Sequence, residues 1–506
     1  MLLPASKSPP KSTGNREGEE SITAAPFQGL PGLLQHHESI QQLSPGSGTG
    51  CATTYNTEDN AAALLTPSTL GTSPCISRQG NGIFEAHLSE EPGNNQLFEA
   101  QGPFSAADAT YATSWTLEQP IKLLEFDLFL FRHFVEAVSK LLDLHDPEIH
   151  SARIVPHLAL RNVGLMKALL ALSARHFSLG EGQRGDFSCT PCEKADVEND
   201  GDSAVVRSLA AKYYTESLHY LKSAIHHPSH TQSLDLVAAA ILISTYEMID
   251  GSTPNWKRRI EGIFWIQQFQ DIDGDCKGLR SALWWAWLQQ DTWSALLERR
   301  RILSIWKPGK EIASLTAPEL ARYTWYLLGQ CVNYTSQEES QVDAVRRADR
   351  GSELLHMLKE WREALPPEYN PLPLTSEENV FPAIWVNPAS YAAALQIQSL
   401  SLVLVVSHHP SLGCIANDRR PNHVLAAAMK IICGIAKSVH ADDLAANIVS
   451  INCLYEAANF LYDEHEQLAL LDLLDLFQQR LRWPERSLRK EVELHYSKNA
   501  FDTMVI

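Results

Sequence analysis

Long hydrophobic runs, basic character and a cysteine framework are all missing from this chain of 506 residues. No apolar run reaches the ~18 residues of a membrane span. The longest stretches, such as Leu400 to Ser407, are short and belong to helical patterns. The opening Met1-Leu2-Leu3-Pro4 turns polar at once, without the apolar region of a secretory signal, so the chain is expected to stay inside the cell. Forty-two Lys and Arg against 60 Asp and Glu leave a formal charge of −18, which disfavours unaided binding to DNA phosphates or anionic lipid. The basic runs Lys257-Arg258-Arg259, Arg299-Arg300-Arg301 and Arg346-Arg347 are short and read as solvated helix faces rather than nuclear signals. Nine cysteines, at 51, 75, 189, 192, 276, 331, 414, 433 and 453, form an odd set without framework spacing, as expected of reduced thiols.

Catalytic signatures are equally scarce. There is no G-x-S-x-G elbow, Walker loop or G-x-G-x-x-G. Cys189-Thr190-Pro191-Cys192 is the one C-x-x-C, and no second ligand pair lies near it in sequence to complete a zinc site. Asp271, Asp273 and Asp275 resemble the start of a calcium loop, but Cys276 stands where glycine is needed and Ala282 where glutamate is needed, so a helix-terminal acidic loop is expected. His226, His227 and His230, and likewise His408-His409, read as caps on helix C-terminal carbonyls. Asp442-Asp443 is followed by Ala446 where a terpene-cyclase motif needs a third carboxylate. No residue reads as catalytic, metal-binding or cofactor-binding.

What is present divides the chain into an arm and a helical region. Residues 1–115 are rich in Gly, Pro, Ser, Thr, Asn and Gln and read as a disordered acidic arm; before position 120 there are four basic residues against twelve acidic ones. Within it, Phe84, Leu88, Leu97, Phe98 and Phe104 alternate with Glu85, Glu90, Glu91, Glu99 and Asp108, the mixture of an activation segment or of a plain linker.

From about 120 apolar residues recur at helical spacing. Leu123, Phe126, Phe129, Leu130, Phe134 and Val138 mark one helix; Leu165 to Leu172, with Asn162 as N-cap, mark the next. A polar loop is read at 179–203. Helices follow around Tyr213 to Leu221, Leu236 to Tyr246, 256–270, 279–299, 317–331 and 340–364. After a Pro-rich loop at 365–388 they resume at 389–407, 422–438, 442–463 and 465–482. No strand series, fixed-period repeat or sustained heptad appears. The fold class is therefore all-α, a large multi-helix domain over 120–485 preceded by the disordered arm, with 486–506 as a C-terminal tail. Trp284, Trp285, Trp287 and Trp293 form a stripe at helical spacing; it reads as core or as the lining of an apolar effector pocket.

Several stretches, in order, carry a resemblance. They are Phe131-Arg132-His133-Phe134 with Pro156, Leu158 and Leu160; the run from Leu165 to Arg175-His176; Tyr213-Tyr214 with Leu218 to Leu221; Ala238 to Leu242 with Tyr246-Glu247; Trp256, Arg259, Glu261 and Gly262; Trp284 to Asp291; and Phe381 to Trp385 with Tyr391 and Gln398. Over about 120–480 the chain resembles the fungal-specific transcription factor domain, the regulatory region of zinc-cluster activators, in its ARCA-like branch. The resemblance implies a nuclear transcriptional regulator, of the kind that governs metabolic or secondary-metabolite gene clusters. It would act through the transcription machinery, a DNA-binding partner, a homo- or heterodimer, or a small effector, and not at a membrane.

The family's zinc cofactor is held by six clustered cysteines that dock a helix in the major groove. Here only Cys51 and Cys75 precede position 189, so that cluster is absent from the 506 residues and direct DNA binding is not expected. Either the gene begins further upstream or a partner supplies the DNA contact. The competing readings are a non-catalytic carrier of lipophilic ligands or a helical enzyme using the Trp-rich interior, and a truncated competitor of full-length zinc-cluster proteins.

Overall fold

The computed structural model describes residues 116–180, 200–225, 233–251, 256–374, 380–410, 423–484 and 486–504. The acidic arm at 1–115, with Phe84, Leu88, Leu97, Phe98 and Phe104, lies outside the described residues. The described residues are helical and contain no strand; a single antiparallel bridge joins Leu372 and Trp385 within the Pro-rich loop.

Among the described residues thirteen helices of nine or more residues follow in order: α1 (Glu125–His133), α2 (Val163–Gly180), α3 (Asp200–Ile225), α4 (Leu234–Asp250), α5 (Trp256–Phe269), α6 (Leu279–Glu298), α7 (Ala317–Thr335), α8 (Ala344–Glu363), α9 (Ala389–His408), α10 (His423–Ser438), α11 (Leu444–Ala458), α12 (Glu464–Leu481) and α13 (Leu488–Met504). Their ends are set by local chemistry. Asn162 Oδ1 accepts from the amide of Leu165 at 2.9 Å, opening α2 as the sequence suggests. Ser233, Asp343, Asp443 and Asp463 cap α4, α8, α11 and α12 in the same way. Glu319 reaches back to the amide of Thr316 at 2.9 Å, the reciprocal half of a capping box on α7. Gly251, at φ +67°, ends α4 in the left-handed conformation that glycine adopts without steric cost.

The sequence pattern carried the first helix on to Val138 and assigned no element between there and α2. The chain continues from α1 into a π-helical turn (Phe134–Val138) and then forms three short helices at Lys140–Asp143, His150–Arg153 and Val155–Ala159. Asp143 holds them together by accepting from the amides of Ser151 (2.9 Å) and Ala152 (2.8 Å). These pieces are too short for a periodic pattern to register. The segment read as a tail contains α13, whose Leu488 and Val492 are buried against α11 and α12.

Two helices organise the packing. α2 lies against α1, α3 and α4, and α9 lies against α7, α8, α10 and α11. The helix α6 touches α4 and α5 on one side and α7 on the other. By length and mean hydropathy (1.6) α9 could cross a bilayer, although its continuous apolar runs are short. Its window is 78% buried inside the protein, and Gln396 bonds Ile432 O and Ser450 within the core, so it serves as a central core helix.

Candidate functional site

The last turn and a half of α4 gathers charge after a run of buried apolar residues. From Leu236 to Ile243 every residue is buried and uncharged; then come Tyr246, Glu247 and Asp250. Burying a carboxylate costs several kcal/mol unless it is paired, and each of these two is paired. The Glu247 side chain is fully buried. Arg259 from α5 grips it with two bonds, Nε to Oε2 at 2.9 Å and Nη2 to Oε1 at 2.6 Å. From α3, Tyr214 donates its hydroxyl to Glu247 Oε1 at 2.5 Å while its ring stacks on Tyr246 at 4.7 Å. Asp250 receives Arg175 Nε from α2 at 2.6 Å, and Arg207 from α3 approaches it at 3.8 Å. Arg175, 2% exposed, also reaches Ser178. Burial and the Asp250 charge push the Tyr246 phenol up to about 12, so it stays neutral.

Three helices, α2, α3 and α5, are thus pinned to one end of α4, with a fork-shaped arginine on each side. On the other side of the same point, Trp483 Nε1 donates to Met248 O at 3.1 Å. Among the described residues each carboxylate of the cluster has an arginine partner. Chemically it is a lock, suited to holding helices in register.

The sequence quoted Arg175, Tyr214, Glu247 and Arg259 in four separate blocks, and the structure brings them together. It missed Asp250 and Arg207. The available signal was the pair of acids three residues apart at the end of a long apolar run.

A second polar contact joins α1 to α2. His133 Nε2 lies 2.9 Å from His176 Nδ1, and the rings stack with Phe129 and Phe177 around them. Nearby, Tyr213 donates to Asp127 of α1; burial and that carboxylate hold its phenol above the usual range.

The tryptophan stripe forms part of the core. Trp284 and Trp287 are 1% exposed, Trp285 and Trp293 7%. Trp284 meets Trp285 edge-on at 4.8 Å and Trp306 at 4.7 Å, and Trp293 meets Trp325 at 5.5 Å. Trp287 packs on Phe264 and donates Nε1 to Ile260 O at 2.9 Å, which fastens α6 to α5. Trp284 contacts both Trp285 and Trp287, while Trp293 packs on Trp325, as expected for side chains that bury large area.

Other sequence candidates have structural places. His408 Nδ1 meets Leu404 O at 2.9 Å and His409 Nε2 meets Ala348 O at 3.1 Å, so both serve helix carbonyls. Asp273 Oδ1 accepts from the amides of Asp275 and Cys276, and Asp275 accepts from the Trp306 indole, a self-contained acidic turn. Asp443 caps α11. The Cys189–Cys192 pair and His226, His227 and His230 lie outside the described residues. Among the described residues no group of three or more His, Cys, Asp or Glu side chains is placed to hold a metal ion.

Two further ionisable groups sit away from these clusters, His145 buried and Glu456 half-buried. Trp325 Nε1 donates to His145 Nδ1 at 3.1 Å, so that nitrogen carries no proton and Nε2–H donates to Ser390 O at 3.2 Å. Burial lowers His145 to about 3, keeping it neutral. Glu456, near the end of α11, is raised to about 7 by burial, opposed by the charge of Arg299.

In comparison with known proteins, residues 129–262 fit the family described as the fungal specific transcription factor domain. That span runs from α1 to the middle of α5 and contains every charged member of the lock. No curated protein and no solved structure matches the chain.

Proposed function

We propose that this chain, whose residues 129–262 fit the fungal specific transcription factor domain, is a fungal transcriptional regulator that works in the nucleus through protein partners, on genes of a metabolic or secondary-metabolite cluster. The family match is the observation that carries this reading. The charge of −18 supports the partner-mediated part, because counterion release needs clustered basic residues on one surface. The buried lock supports a positioning role for the polar residues it takes from α2 to α5. In this reading the helical domain is a rigid body whose surfaces carry the regulatory contacts.

Chromatin occupancy of the tagged, full-length protein in its own host tests the proposal. Discrete promoter peaks, together with weak and salt-sensitive DNA binding by the purified chain, are the expected results. A cytoplasmic protein with no peaks at good expression would sink it.

A further inference from the structure

The segment that follows α6 runs against the acidic character of the chain. From Arg299 to Lys310 it carries Arg299, Arg300, Arg301, Lys307 and Lys310 and no acid. The arginine triplet, which the sequence reads as a helix face, instead leads the chain out of α6. Arg299 is the C-cap, at φ +53°, and the next helical turn begins at Ile312.

Both ends of this connection are anchored. Asn333 Oδ1 accepts from the amide of Ile302 at 2.8 Å, and Asp291 Oδ2 from that of Leu303 at 2.6 Å. Trp306 packs its indole on Trp284 and Trp285 and donates Nε1 to Asp275 at 3.1 Å. Between the anchors lie Ser304, half-buried, and Ile305, 82% exposed. Ser304 Oγ accepts from the amide of Trp306 at 3.3 Å. Among the described residues the main-chain N–H and C=O groups of Ser304 and Ile305 make no hydrogen bond.

A protein kinase holds its substrate as a non-helical segment and selects it by charge at fixed offsets from the acceptor hydroxyl. Here Arg301 stands three residues before Ser304, Arg299 five before it, and the apolar Ile305 directly after. These three positions are exposed, whereas Ile302 between them is buried. Ile305, which gains nothing from burial in the fold, would gain it in an apolar subsite of a kinase cleft. We propose that Ser304 is a phosphorylation site for an arginine-directed serine kinase.

In the transfer, Ser304 Oγ attacks the γ-phosphorus of ATP. The Oγ–P bond forms as the bond from that phosphorus to the β–γ bridging oxygen breaks. ADP leaves, and the hydroxyl proton passes to the catalytic aspartate of the kinase. The product adds a charge of about −1.5 to −2 at pH 7 to a stretch that already holds exposed Arg299, Arg301 and Lys307. The fold also discriminates. Arg-x-x-Ser occurs twice in the sequence, at Arg175 to Ser178 and at Arg301 to Ser304. Ser178 lies inside α2, is 8% exposed and donates to Arg175 O at 2.7 Å, so it is closed to a kinase. The inference is independent of the regulatory assignment, and its test does not involve transcription.

The native 506-residue protein is incubated with ATP and a serine kinase selective for arginine at the third and fifth positions before the acceptor, and phosphopeptides are located by mass spectrometry. The expected result is modification at Ser304 and none at Ser178. Ser304→Ala should abolish it. Arg301→Ala, which gives up only a surface ion pair with Glu339, should slow it at least tenfold while melting with the parent. The proposal is overturned if Ser304 stays unmodified in the native protein, if it is modified only after the chain is unfolded, or if Arg301→Ala leaves the rate unchanged.

Discussion

Replacing Arg259 with leucine isolates the central claim about α4, that its carboxylates are affordable only because they are paired. The Glu247 side chain has no exposure, whereas Arg259 is 22% exposed. The two ends of this pair are therefore not equivalent. Removing Arg259 strands a buried carboxylate with Tyr214 as its one remaining partner. Truncating one side of a buried pair costs about 3–5 kcal/mol, and the retained Tyr214 bond places Arg259→Leu near the lower end, about 3 kcal/mol. Removing Glu247 instead leaves a guanidinium with a route to water, so Glu247→Leu should cost less, about 1–2 kcal/mol. In the double variant neither charge is stranded, and leucines fill both places. Its cost should fall well below the sum of the singles, giving a coupling of about 2 kcal/mol. Urea unfolding followed by far-ultraviolet circular dichroism reads all three. The exposed pair Arg132–Glu136, with side chains 76% and 62% exposed, is the control, and Arg132→Ala should be indistinguishable from the parent. The reasoning fails if Arg259→Leu costs under 1 kcal/mol, if Glu247→Leu costs more than Arg259→Leu, or if the double variant is simply additive.

Other substitutions probe single features. Glu456 has a folded value of about 7, above the usual 4.5, so the folded state binds the extra proton between those pH values. Its contribution is present below pH 4.5 and is lost as pH rises through 7; Glu456→Gln should therefore stabilise the protein at pH 8 by about 1–3 kcal/mol and leave pH 4 unchanged, as thermal melts at the two pH values would show. At Gly434 a Cβ would lie 2.5 Å from the carbonyl oxygen of Pro382, which is backbone and cannot swing aside; Gly434→Ala should cost about 2 kcal/mol or more, visible as an earlier urea midpoint. Asn162→Ala removes the cap of α2 and the 3.1 Å bond to Asp235 together, so a loss of about 1–2 kcal/mol is expected, with a parent-like midpoint as the contrary outcome.

Helix positions were legible wherever an apolar stripe ran for three turns or more. The stripe at 279–299 became α6 (Leu279–Glu298) and the pattern at 389–407 became α9 (Ala389–His408), because burial and periodicity are one fact seen twice. Short pieces at 140–159 escaped, since four or five residues cannot show a period. The helix α13 escaped because it places Leu488 and Val492 inward among charged residues and so reads as polar. The tryptophans could be read as core or as pocket, and the choice depended on whether their neighbours fill the space between them. The lock was harder still. Arg175, Tyr214, Glu247 and Arg259 lie in four helices up to 84 positions apart, and charge pairing between helices has no periodic signature.

The bond from Trp483 to Met248 also sets a schedule. The indole that completes the end of α4 is encoded 235 residues after the carbonyl it serves. At roughly 5–20 residues per second, about 12–47 s of synthesis separate the two. Throughout that interval the nascent chain presents an unfinished surface at the base of α4. The growing protein is therefore most dependent on chaperone cover while its second half is being made, and a ribosome stall between these two points should send it to degradation more readily than one after Trp483.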